Sequence, residues 1–444
     1  MTDTLIVNAE VVNDGKRFAA DVRIRNGRIE QIAAGLSPRP GEQVFEANGR
    51  LLLPGMIDDQ VHFREPGLEH KGDFHTESRA AVAGGVTSFM EMPNSKPTTT
   101  NREALEDKCA RASRKSLANY AFYLGATNDN LEQIRSLDPR AACGIKVFMG
   151  ASTGNMLVDN PETLDAIFRD APTLIATHCE DTPTIEANLA AERKIYGDAI
   201  PLSRHPYIRS REACIKSTRL ALELARRHGS RLHVLHITTA EEVALFEPGP
   251  PDRKRITAET CAHFLHFSEE DYAQKGNLIK CNPAIKSVTD RAAIIAGLNE
   301  GRLDILATDH APHTWEEKQQ PYEKAPSGLP LVQSVLQCAL ERWFDDQLSL
   351  ELIVEKTAHA PARLFNVRER GYVREGYWAD LVLIDPHKPH AVTRAETLSK
   401  CGWSPFEGTT FRSSIDATWV NGHLAWNDGR LDDSRLGQRL EFDR

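Results

Sequence analysis

No apolar run in this 444-residue chain approaches the ~18 residues that a membrane-spanning helix needs, so no span is expected. The opening Met1-Thr2-Asp3-Thr4 carries neither the basic nor the apolar region of a secretory signal. Cysteine is sparse: eight residues, at 109, 143, 179, 214, 261, 281, 338 and 401, form no CxxC pair and no paired spacing. Reduced thiols and a cytoplasmic location are the expectation. Positive charge is also short, with 54 Lys and Arg against 63 Asp and Glu and a net charge of −9. That balance argues against nucleic acid and anionic membrane as partners, since both require a basic face. No internal repeat or low-complexity tract appears. What remains is an ordinary globular composition, long enough for one large barrel plus a smaller module or for two to three average domains.

Residues 4–53 carry short β-rich runs, at 4–8, 21–25, 27–33 and 43–46, with Asn26-Gly27 as a two-residue hairpin signal. About fifty residues cannot close a core alone, so this module is expected to pair with β structure elsewhere. From Ile57 to about residue 360 the pattern changes. Apolar strands at 57–62, 86–91, 120–125, 144–149, 173–178, 232–237, 255–260 and 304–309 alternate with helical stretches such as 101–116, 209–227 and 330–344. Eight strands with intervening helices fit a (β/α)8 barrel, and a doubly wound open sheet is the alternative. After a helical segment at 349–366, β signals return at 379–385 and at 414–422, the latter ending on Asn421-Gly422. The expected division is 1–53 and 367–444 as two parts of a β-sandwich, with 54–366 as the barrel.

Chemistry concentrates in Asp58-Asp59-Gln60-Val61-His62-Phe63-Arg64-Glu65-Pro66-Gly67. Strand alternation places Asp58, Gln60, His62 and Arg64 on one face and Ile57, Val61 and Phe63 on the other. Such a polar face is an expensive lining for a core and usually lines a site. A solvated edge strand with a stray histidine fits this stretch alone equally well. Later polar residues also fall at strand ends: Lys146 on the fourth strand, His178 ending the fifth, His236 the sixth and Asp309 the eighth. Barrel active sites sit at those ends. Each has a plainer reading: a satisfied core histidine for His178 or His236, a buried ion-pair partner for Lys146, a helix cap for Asp309. Three convergent imidazoles with a carboxylate suit a catalytic zinc. His263 and His266 read as structural, and 314–327, polar and punctuated by Pro and Gly, as a candidate lid.

The chain resembles the cyclic amidohydrolases, and among them the dihydroorotases, over nearly its whole length. The pattern Asp-x-His-x-His-x-Arg-x-Pro-Gly matches residues 58–67 except that Gln60 stands where the first histidine is usual. Thr308-Asp309-His310-Ala311-Pro312-His313 matches Asp-x-Ala-Pro-His, and Gly376-Tyr377-Trp378-Ala379-Asp380 matches the closing signature, where both chain ends form one composite β-sandwich. The resemblance implies a metal site of His62, Lys146, His178, His236 and Asp309, with Gln60 as the sixth candidate ligand and Lys146 carbamylated. It implies Asp309 as the catalytic acid–base group. It also implies substrate contacts from Arg64, Asn94 and His313 to a carboxylate and from Asn282 to the ring, with Ala284 where a second proline is usual. Ser327-Gly328-Leu329-Pro330 can offer backbone groups to the ring amide, although a plain turn is nearly as good a reading.

The expected activity is reversible hydrolysis of (S)-dihydroorotate to N-carbamoyl-L-aspartate in pyrimidine (UMP) synthesis, by a homodimer or homotetramer. Gln60 offers an amide oxygen where zinc prefers imidazole, so one zinc should be tight and a second weaker or absent. Asp58, two residues back, could compensate from behind. An allantoinase or hydantoinase-like hydrolase is a second reading, opposed by Arg64 and Asn94. A non-catalytic homologue scaffolding aspartate carbamoyltransferase is a third, supported by Gln60 alone.

Overall fold

The N-terminal module is built from strands whose turns are written in the sequence. Thr4–Asn13 pairs antiparallel with Lys16–Arg25, which pairs with Arg28–Ala33 across Asn26-Gly27. Both turn residues take positive φ, 52° and 81°, as this hairpin type requires. The computed structural model describes residues 3–150 and 156–444. Among them, these strands join Gln43–Glu46, Leu51–Pro54, Leu381–Asp385, Ser414–Val420, His423–Asn427 and Arg430–Leu431 in one nine-stranded sheet. Its seam is Leu51–Pro54, which pairs parallel with Thr4–Asn13 on one side and antiparallel with Leu381–Asp385 on the other. The two chain ends therefore share one sheet. A buried cluster including Val11, Val22, Leu52, Leu383 and Trp419 packs it.

The barrel strands run parallel in chain order: Met56–Val61, Val86–Glu91, Asn119–Phe122 continued by Leu124–Gly125, Ile145–Phe148, Ile175–His178, Leu232–Val234, Ile256–Cys261 and Ile305–Ala307. A parallel bridge between Val61 and His310 closes the ring from strand eight to strand one. The fold is thus a (β/α)8 barrel with a composite β domain from both chain ends. Helices Arg102–Ala112 and Arg211–His228 are capped by Asn101 and Ser210, and Gly229 ends the second at φ 66°. The helix expected from residue 330 begins only at Val335. The backbone N–H groups of Leu331 and Val332 are instead committed to His310 Nδ1, which holds that stretch as a turn. The chain's last residues lie against the barrel: Leu440 bonds to Tyr120, and the Arg444 guanidinium donates to the carbonyls of Pro139, Ala142, Cys143 and Phe365. No helix among the described residues is long and apolar enough to cross a membrane.

Candidate active site

At the C-terminal mouth of the barrel one small cavity is lined by Gln60, His62, Lys146, Phe148, His178, His236, Asn282, Asp309, Ala311, Ser327 and Gly328. Seven of the ten residues singled out from the sequence thus share one lining, contributed by strands one, four, five, six and eight and the loop after strand seven. A larger cavity of about 520 Å³ lies between the helix at 335–344 and the C-terminal segment. Its lysine, Lys388, is already paired with Asp416 and Asp428, and among the described residues no comparable set of ligand-type groups converges there.

The ligand-type atoms come in close pairs. His178 Nδ1 lies 2.9 Å from His236 Nε2, and His62 Nε2 lies 3.2 Å from Asp309 Oδ1. Ligand atoms of a tetrahedral zinc shell with ~2.0 Å bonds sit roughly 3.3 Å apart, so both spacings fit the first coordination shell of an ion. Burial lowers the pKa of all three imidazoles, which keeps them in the neutral form that binds metal. His62 Nδ1 donates to Asn94 Oδ1 at 2.7 Å, leaving Nε2 directed at Asp309. Glu180 Oε2 lies 3.0 Å from His178 Nε2 and pairs with Arg209. Burial pushes the Asp309 carboxyl up, but at the low pH where it would titrate the rings of His62, His236 and His263 are protonated, and they outweigh burial and bring it down to about 2. Asp309 is therefore a carboxylate at any working pH.

Lys146 is buried, and among the described residues its Nζ meets no hydrogen-bond acceptor and no carboxylate at ion-pair distance; the Phe148 ring lies 4.7 Å away. Burial pushes its pKa down to about 8 against the pull of Asp309 and Glu259. A buried ammonium left this way is costly. Reaction of the neutral amine with carbon dioxide would exchange it for an anion suited to a cation, so the residues present fit a metal at this mouth.

Gln60 turns its amide nitrogen to Asp309, with Nε2 donating to Oδ1 at 3.1 Å, while Oε1 lies toward Cys261. Asp58 reaches that position through the Gln60 backbone and not through its side chain. Its carboxylate accepts from the hydroxyl of Thr308 at 2.6 Å and from the backbone of Thr308 and Gln60, bridging strands one and eight. The strict alternation expected along strand one also fails, because a register shift between Asp58 and Val61 turns Asp59 into the barrel interior. There Asp59 Oδ2 lies 3.3 Å from His233 Nε2 of strand six, itself 3.2 Å from Glu259 Oε2 of strand seven. These three ligand-type groups are fully buried. His233 Nδ1 donates to Thr257 Oγ1 at 2.8 Å, because that hydroxyl's proton goes to the Leu232 carbonyl. Burial alone would lower the His233 pKa, but the two carboxyl groups raise it to about 9. The imidazolium donates Nε2–H to Glu259 and meets Asp59 as an ion pair, while neither Asp59 carboxyl oxygen has a hydrogen-bond partner among the described residues. Sequence reading missed it; the spacing His233-x-x-His236 on one strand was the available signal.

Arg64 lies past the strand end, at φ 75°, not in the alternation of the strand. Its Nε donates to the Pro312 carbonyl at 3.0 Å, and its Nη2 lies 3.0 Å from His313 Nε2. His313 Nδ1 accepts from Lys71 at 3.1 Å, so its Nε2–H points to the Ser327 carbonyl and cannot also accept from Arg64. Among the described residues no carboxylate lies within 4.0 Å of this buried guanidinium. Arg64, Asn94 and His313 form the wall behind the cavity, not its lining. Asn282 Oδ1 is buried with no partner among the described residues. Gly328, at φ 142°, lets the backbone approach closely, since a Cβ there would sit 2.5 Å from the Ala311 carbonyl. The segment expected to act as a lid is fastened: Lys318 donates to the carbonyls of Lys280, Pro326 and Gly328, and Lys280 to those of Tyr322 and Ala325. His263 packs on Phe264, and among the described residues neither of its ring nitrogens has a partner.

Fold and site together define a metal-dependent hydrolase of cyclic amides. The chain belongs to the amidohydrolase family, whose sequence profile matches residues 51–425. It is similar to a dihydroorotase from Halobacterium salinarum, 34% identical over 412 residues covering 91% of this chain and 92% of that protein. An allantoinase from Bacillus velezensis is 33% identical over 436 residues, 96% of this chain and 94% of its own length. Among solved structures, an L-hydantoinase from Arthrobacter aurescens superposes with a TM-score of 0.92 at 26% identity, covering 99% of this chain and all of the other.

Proposed function

We propose that this protein is a dihydroorotase, opening the ring amide of (S)-dihydroorotate to N-carbamoyl-L-aspartate and closing it in reverse. The observation that carries the reading is the buried Arg64 guanidinium without a carboxylate partner at the cavity wall. A buried charge of this kind needs an anion, and a planar guanidinium binds a carboxylate bidentately. Dihydroorotate brings a carboxylate; uncharged hydantoin rings do not. Asn282 Oδ1, without a partner among the described residues, stands ready for the ring amide, beside the Ser327 and Gly328 backbone of the cavity lining. His178, His236 and carbamylated Lys146 would hold a tight zinc, with His62, Asp309 and Lys146 as a second, poorer site. A zinc bound there supplies Lewis-acid polarisation of the ring carbonyl and lowers the pKa of water to about 7. Asp309 accepts the proton of the attacking water as the C–O bond forms. It returns that proton to the ring nitrogen as the C–N bond breaks. Arg64, with the Asn94 and His313 side chains around it, fixes the substrate carboxylate and so the attack geometry. The same reading takes residues 1–53 and 367–444 as the two parts of the β domain around the 54–366 barrel, and the protein as a cytoplasmic homodimer or homotetramer.

The allantoinase reading is favoured by the relative at 33% identity and opposed by Arg64. Assay of the purified protein with dihydroorotate, allantoin and hydantoin decides between them; turnover of allantoin but not dihydroorotate would reject the dihydroorotase reading.

Arg64→Met is expected to raise KM for dihydroorotate by roughly 10- to 100-fold, since a charged hydrogen bond is worth ~1.5–3 kcal/mol. The native protein should use dihydrouracil, which lacks the carboxylate, poorly. Equal turnover of both rings by the native protein is the outcome that removes Arg64 from substrate choice.

The Gln60 amide, donating to Asp309 instead of facing the cavity with its oxygen, supports one tight zinc and a second that is easily stripped or absent. Gln60→His should raise zinc retained after dialysis toward two per chain. Native protein that keeps two zinc ions through a mild chelator would show Gln60 to be a tolerated ligand. Native protein with no zinc and no turnover would favour the scaffolding reading.

A further inference from the structure

The chain leaves strand six at Val234 and turns through His236, whose φ of 44° is a conformation that residues other than glycine rarely adopt. Its neighbours are tied to the flanking strands by ordinary ladder bonds, Leu235 N–H to Thr177 and Ile237 N–H to the Glu259 carbonyl at 2.9 Å. The His236 N–H between them goes to a side chain, Glu259 Oε1, at 3.3 Å. The other oxygen of Glu259 faces His233 Nε2 at 3.2 Å, with Asp59 Oδ2 at 3.3 Å from the same nitrogen. Glu259 thus holds this turn twice, its backbone carbonyl at Ile237 and its carboxyl group at His236, and His233, itself fixed by Thr257, sets the direction of that carboxyl group. Ionisable groups are a costly filling for a barrel interior that apolar residues could occupy. Here they sit directly behind a residue of the cavity lining.

We propose that Glu259, oriented by His233, is a positioning residue that holds the His236 backbone so that its imidazole meets His178 at metal-ligand spacing. This rests on the reading of His178 and His236 as zinc ligands. Partners behind a ligand typically change metal affinity by ~10–100-fold when removed.

Zinc affinity of the metal-stripped full-length protein, measured by competition with a chromophoric chelator, tests this in Glu259→Gln and Glu259→Met, with thermal melting recorded for each. Glutamine keeps a carbonyl oxygen that accepts from the His236 N–H, so its zinc Kd should stay within about threefold of native. Methionine fills the same space without an acceptor, and its Kd should rise by ~10–100-fold even where Tm is unchanged. The cobalt-substituted Met variant should also show an altered d–d spectrum. If Glu259→Met does not fold, the triple variant Asp59→Asn, His233→Met, Glu259→Met removes the buried charges together and should show the same loss of affinity. A folded Met or triple variant that binds zinc as tightly as native, or a Gln variant as weak as Met, overturns the proposal. Native protein that binds no zinc overturns the zinc reading of the site, and this proposal with it.

Discussion

Replacing Asp309 with asparagine is expected to leave a folded, metal-binding protein whose kcat falls by roughly 10²–10⁴-fold, the range for loss of a positioned general base. Asparagine keeps the volume and one oxygen for the Gln60 Nε2–H and His62 contacts, 3.1 and 3.2 Å in the native protein. It cannot accept a proton at neutral pH. The surrounding imidazoles hold the native carboxyl near 2, so the native group is ionised throughout the working range and the variant isolates loss of basicity. Turnover with dihydroorotate, zinc content and thermal melting should be measured together. A variant with normal zinc and half of native turnover would remove Asp309 from proton transfer. Loss of zinc along with turnover would make it chiefly a ligand.

Much of this site was legible because barrel chemistry collects at strand ends, and apolar runs ending in His178, His236 and Asp309 mark those ends directly. Gln60 and Lys146 were visible for the same reason, as polar residues inside otherwise apolar strands. The hairpin at Asn26-Gly27 was legible because its conformation nearly demands those residues. What escaped depends on contacts between distant segments. A bulge leaves no trace in composition, so alternation along strand one gave Arg64 the wrong setting and hid Asp59. In the Asp59–His233–Glu259 triad, Asp59 comes from about 170 to 200 positions away, on a strand that neighbours neither of the other two, so its place beside them leaves no local pattern. Glu77 is similar: it accepts from His310 Nε2 at 2.8 Å and from Ser399 and Lys400, tying the C-terminal half to the loop beside Asp309. Leu51–Pro54 was not among the expected strands, because only Gly55 separates this sheet seam from the barrel strand that follows.

Lys146→Met should have the other large effect, loss of both zinc and activity in a protein that still folds. Methionine suits the space, and replacing a buried cation that has no anionic partner among the described residues removes a desolvation cost, so Tm should hold or rise. Function is the opposite case. Burial brings the Lys146 amine to about 8, so an appreciable fraction is neutral near pH 7.5. That neutral nitrogen can attack carbon dioxide, forming an N–C bond and releasing one proton, and the product is a carbamate anion. Methionine cannot make that anion, and among the described residues the cavity lining then keeps Asp309 as its one carboxylate. Loss of metal-based charge stabilisation, worth several kcal/mol, corresponds to a fall of roughly 10³-fold or more in kcat. Native protein equilibrated with ¹³C-labelled bicarbonate should show a carbamate carbon signal that Lys146→Met lacks, and Lys146→Ala should regain part of its zinc and turnover with added short carboxylic acids. A Lys146→Met protein that keeps its zinc and turns over dihydroorotate at the native rate would show that this lysine neither carries a carbamate nor holds the metal, and that its burial serves the barrel alone.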